Sequence, residues 1–182
     1  MMTMTTRGGG RFSLGVVALT LMLAGGAVAP PPAAAMQGPM GTESEQPDEA
    51  RAQELEAQAQ ELMTERTSWK DAARALRQAA QLREEGDPQA VSNLMTGARL
   101  AFYTGDDRGA LSDLKQAGDR ALAMGDVNTA AHAYLDAAWI GMQLSRPEVV
   151  TEYTHRADLL TRSPLLSADH RAAIQQRIEI PA

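Results

Sequence analysis

Three histidines are the residues best suited to acid-base or metal chemistry, and their spacing limits what they can do. His132, His155 and His170 form no His-x-x-x-His pair, the spacing that puts two imidazole ligands on one helix face. His132 and Asp136 are one helical turn apart, so the carboxylate could orient the imidazole as a general base. Ordinary surface pairs share that spacing, and this is the preferred reading. The acids invite a second test. Glu61 and Glu65 share a helix face and Glu84 and Glu85 are adjacent. Both pairs sit in polar sequence, without the apolar pocket that raises one carboxyl of a glycosidase pair, and they read as solvated faces. Asp106 and Asp107 lack the spaced ligands of a calcium loop and are better used as helix caps. The chain has no Cys, which removes thiolate nucleophiles, sulfur-bound zinc and disulfides together. It has no nucleophile elbow and no phosphate-binding glycine loop. No catalytic residue, metal site or cofactor is expected.

Residues suited to contact are easier to name. Trp69, Phe102, Trp139, Tyr134 and Tyr153 lie on apolar stripes and belong to a core, whereas Tyr103 follows Phe102 at a helix end and should be exposed. Arg99 precedes it by one turn. Tyr and Arg are the side chains that most often anchor interfaces. The partner is not nucleic acid, because 17 Lys+Arg against 23 Asp+Glu give a net charge of -6, the wrong sign for a phosphate-backbone binder.

Two segments precede the elements that would hold these residues. Residues 1–35 read as a secretory signal: Arg7 and Arg11 are the only charges, Leu14 to Ala24 is an apolar centre, and Ala33-Ala34-Ala35 offers a small-x-small cleavage site. That centre is shorter than the roughly 20 residues of a comfortable membrane span, so cleavage is expected in preference to an uncleaved anchor. The mature chain would begin at Met36 with a net charge of -8. Residues 36–48 carry Gly, Pro, Ser, Thr and Glu with little to bury and read as an unstructured linker.

From Glu49 onward Ala, Leu, Gln, Glu and Arg dominate, and Pro88 is the one proline between Asp48 and Arg146. Apolar residues recur at helical spacing, as in Trp69, Ala72, Ala73, Leu76, Ala79 and Ala80. No strand alternation is present. Seven helices are expected, near Asp48 to Glu65, Ser68 to Glu85, Pro88 to Tyr103, Asp107 to Met124, Val127 to Leu144, Pro147 to Thr161 and Ser167 to Ile178. Val127 to Leu144 is apolar on more than one side and should be sandwiched. The last helix should expose Arg171, Gln175, Gln176 and Arg177 as a polar cap. The breaks repeat: Gly86-Asp87, Gly105-Asp106 and Gly125-Asp126 are 19 and 20 residues apart, with Ser145-Arg146-Pro147 at the same stride. A glycine can end one helix in the left-handed conformation, and the aspartate can cap the next. Repeated short joints make antiparallel hairpins stack as a solenoid, with an antiparallel helical bundle as the competing architecture.

This pattern resembles the tetratricopeptide repeat family. In residues 111–144, Leu114 and Gly118 match the large and small positions of the first helix, Gly125-Asp126 the turn, and Ala130, Tyr134 and Ala137 the second helix. Residues 91–124 offer a second frame through Leu94, Ala98, Gly105-Asp106, Ala110, Leu114 and Ala117. The stride matches the longer-period variants of the family. The resemblance implies an all-α solenoid whose first helices line a groove for a peptide. Under the second frame that helix offers Ser92, Met95, Arg99 and Phe102, with Tyr103 beside them. The Lys and Asn set by which some members clamp a carboxylate is not recognisable. The expected function is therefore an exported, periplasmic or secreted bacterial scaffold that binds a protein or peptide. Its first alternative is self-association through Leu55, Ala59, Leu62 and Met63 on one face of the first helix. Its second is an enzyme built around His132 and Asp136.

Overall fold

The computed structural model describes residues 45–179; the expected signal segment 1–35, most of the expected linker and the last three residues lie outside them. The described residues form seven α-helices and one 3-10 turn and contain no strand. In order they are α1 (Glu45–Leu62), the 3-10 turn (Arg66–Ser68), α2 (Trp69–Leu82), α3 (Pro88–Tyr103), α4 (Asp107–Ala123), α5 (Val127–Gln143), α6 (Pro147–Thr161) and α7 (Ala168–Glu179). Three boundaries differ by three residues from the sequence reading, among them the end of α1, at Leu62 and not Glu65. Helix α1 starts at Glu45, inside the expected linker, because Glu, Gln and Ala favour helix and Pro47 falls in the first turn, where it removes no bond. Helix α2 stops at Leu82 and not Glu85, since Arg83 turns to extended backbone and pairs with Glu49 and Glu56 of α1 and with Asp87.

Three joints are built alike. Asp106, Asp126 and Arg146 donate their N–H to the carbonyls of Ala101, Ala121 and Gly141 at 2.8 to 2.9 Å. The residue before each donates to Phe102, Leu122 or Met142, which completes the paired bonds of a Schellman end. The left-handed position is Gly105 (φ 82), Gly125 (φ 78) and Ser145 (φ 55). Gly86 does not share it, because α2 has already ended four residues earlier, at Leu82. Asp87, Asp106 and Asp126 then cap α3, α4 and α5 by accepting from the N–H of Gln89, Gly109 and Thr129.

The helices stack in chain order, each lying mainly on its two sequence neighbours. Side chains also tie each helix to the next but one. Asn93 of α3 donates to Glu56 of α1, and Arg77 of α2 grips Asp113 of α4. Arg99 of α3 reaches Asp136 of α5, Arg156 of α6 lies 3.8 Å from Asp119 of α4, and Arg177 of α7 donates to Asp136. Odd-numbered helices therefore form one layer and even-numbered helices the other, as in a solenoid. Alanine supplies 19 of the 32 buried apolar residues, so the helices approach closely through small side chains. Helix α5 buries ten residues and is sandwiched as expected.

The α1 face considered for pairing with a second copy is used within the chain. Leu55 and Ala59 are buried, and Leu62 and Met63 pack on the same core. At the other end, Arg171 is not an exposed cap residue. It is half-buried and donates to the carbonyls of Thr161, Ser163 and Leu166, closing the end of α6.

Candidate functional site

Helix α3 presents Pro88, Ser92, Met95 and Arg99 in one row, at the three- and four-residue steps that align side chains on a helix. This row forms one wall of an open depression of about 320 Å³. Val91 and Thr96 complete that wall, and Met124, Asp126 and Thr129 supply the other side from the joint and first turn of α5. Met95, Met124 and Val91 give it an adaptable apolar floor. Ser92, Thr96 and Thr129 offer hydroxyls. Asp126 and Arg99 give the lining one charge of each sign.

Arg99 is the exposed cation of this face. Its side chain is 64% exposed, and one nitrogen lies 3.3 Å from Asp136. Asp136 is held more tightly from its other side by Arg177 at 2.8 Å. The Arg99 guanidinium therefore keeps most of its five donors for another carboxylate.

Three of the five contact residues expected from sequence, Ser92, Met95 and Arg99, are thus brought together, and two are not. Phe102 is half-buried and turns to Trp139, with ring centres 5.3 Å apart in an edge-to-face arrangement. Tyr103 is 56% exposed but lies outside the depression, in a row with Trp69 at 6.1 Å and Phe102 at 5.7 Å. Sequence reasoning missed Met124, Thr129 and Asp126. Asp126 was legible only as a cap, which it also is.

The residues weighed for catalysis are arranged differently. His132 and Asp136 do not bond to each other, since both take bonds from Arg177: one arm meets His132 Nδ1 at 2.9 Å and the other meets Asp136 at 2.8 Å. The imidazole nitrogen that a base would use is thereby occupied. Glu61, Glu65, Glu84 and Glu85 are exposed. Among the described residues no group of three or more His, Asp or Glu could hold a metal ion, and no helix is long and apolar enough to cross a membrane.

Two polar clusters tie the even-numbered helices, one between α2 and α4 and one joining α4, α5 and α6. Asp113 is almost fully enclosed, and burial holds its carboxyl above the usual range although Arg77 bonds it with two nitrogens at 2.7 and 2.8 Å. The Tyr134 hydroxyl is pushed up to about 12 by burial and by its 2.7 Å bond to Asp119. Arg156 lies over the rings of both Tyr134 and Tyr153. These bonds bridge packed helices and leave no free nucleophile.

No protein-family model matches the chain, no curated protein is similar to it, and no solved structure matches it.

Proposed function

We propose that this protein is an exported, non-enzymatic helical-repeat module that binds a protein or peptide partner on the α3–α5 face. The observation that carries the reading is the depression between α3 and α5, where an exposed, weakly held Arg99 stands beside an apolar floor. A segment bound there would place an apolar side chain on Met95 and Met124 and a carboxylate on Arg99. Rigid helices set the spacing of these groups, so little order has to be gained on binding. The tetratricopeptide-like pattern of Leu114, Gly118, Gly125, Ala130, Tyr134 and Ala137 supports the same use of the fold.

Export is part of the reading and rests on residues 1–35. The mature protein recovered from outside the cytoplasm should begin at Met36, which N-terminal sequencing reads directly. Recovery with Met1 intact in the cytoplasm would remove this part of the proposal. Binding is tested by affinity capture of the tagged chain. One stoichiometric partner, lost on Arg99→Glu and retained on Lys115→Glu, is the expected result. Equal capture by both variants would place the contact elsewhere.

A further inference from the structure

Helix α7 is the most lightly held element of the array. It buries one side chain, Ile174, with Ile178 half-buried beside it. What fixes it to α5 is polar: Arg177 spans His132 Nδ1 and Asp136. An arginine can only donate, so the His132 Nδ1 that meets it must be the bare, accepting nitrogen. The ring proton then resides on Nε2. A protonated imidazole carries a hydrogen on both nitrogens and offers Arg177 no acceptor.

We propose that the His132–Arg177 contact is a pH-sensitive latch that docks α7 on α5 near neutral pH and releases it in acid. The charges around the ring favour this. From α7 come Arg177 and His170, both opposing a positive ring. Asp136 from the same helix and Asp126 from the joint before it favour one. Asp136 already serves two guanidinium groups, Arg177 and Arg99, and its pull on His132 is correspondingly spent. Burial and Arg177 hold the imidazole below its usual pKa while α7 is docked.

Protonation therefore belongs to the released state, where the ring regains the ordinary value of about 6.5. Below that pH, and above the lowered docked value, the ratio of released to docked α7 grows about tenfold per pH unit. Release also takes Arg177 from Asp136, which is then shared between Arg99 and the protonated His132. The latch stands whether or not the α3–α5 face binds a partner.

The test is hydrogen exchange of the full chain at about pH 7.5 and about pH 5.5, values on either side of the free imidazole pKa. Protection of α7 is read against α5 in the same sample, which cancels the intrinsic pH dependence of exchange. In the wild type, α7 protection relative to α5 should fall, by up to about tenfold. His132→Gln, whose amide oxygen accepts at every pH, should abolish that fall. His170→Gln should retain it, and Arg177→Ala should lower α7 protection at both pH values and remove its pH dependence, with Arg171 still tying the helix to the end of α6. A similar fall in His132→Gln, or no fall in the wild type, would overturn the latch.

Discussion

Ser145 bears a backbone cost that its counterparts Gly105 and Gly125 avoid, since all three occupy the left-handed end of a Schellman joint. Replacing it with glycine relieves the clash between Cβ and carbonyl but loosens the unfolded chain. The balance favours Ser145→Gly by about 0.5 to 1 kcal/mol in urea unfolding. A loss of stability would show that the serine side chain holds something the joint needs. Gly118 presents the opposite case. A methyl group there would run into the Tyr134 ring, which is fixed by Asp119 and stacked on Tyr153. Gly118→Ala should therefore destabilise by about 1 to 2 kcal/mol although alanine is the better helix former. Removing the cation from the enclosed pair is costlier still. Arg77→Ala strands the Asp113 carboxylate in the core and should cost about 3 kcal/mol. A change below about 1 kcal/mol in the same melt would mean that water reaches Asp113.

At the scale of the helices, both ends of the array are fastened by groups that titrate. Helix α1 is tied through Glu56, which the Arg83 guanidinium holds below the usual carboxylate range. A carboxyl with a depressed folded pKa contributes stability above its unfolded value of about 4.3 and loses it as pH falls through the folded value. Helix α7 depends on a neutral His132, whose lowered pKa has the same sign at higher pH. Acid titration should release α7 first and α1 later, with α3 to α5 protected longest, as peptide-resolved hydrogen exchange would show. Simultaneous loss of all helices would contradict this order.

The elements were well marked in the sequence. Pro88 and Pro147 open their helices where expected, and Gly105, Gly125 and Ser145 end theirs, because capping is local chemistry written in two or three residues. Glu45 and Arg83 were not legible. The first depends on helix propensity outweighing a polar composition. The second depends on Glu49 and Glu56, 34 and 27 residues away.

At the scale of the molecule, an open stack differs from a closed bundle in how it loses parts. Its helices touch mainly their neighbours in sequence, so removing residues 147–182, with α6 and α7, should leave α1 to α5 folded. The urea m-value should fall roughly in proportion to the surface removed. Complete unfolding of the shortened chain would point to a closed core. The candidate site was legible in part for the same geometric reason. Ser92, Met95 and Arg99 share a face of one helix, which spacing alone reveals. Met124, Asp126 and Thr129 join them only because α5 lies two places along in the same layer. The ties among Arg99, Asp136 and Arg177 span α3, α5 and α7, and no local pattern encodes them.

The central claim is that a partner seats between α3 and α5. Site-specific photo-crosslinking addresses it most directly, with a photoreactive residue placed at Ser92 in one chain and at Lys115, on the even-numbered layer, in another. The account predicts a discrete crosslinked species from Ser92 in the exported fraction, lost when Arg99→Glu is added, and none from Lys115. Crosslinks of equal yield from both positions, or from Lys115 alone, would contradict it.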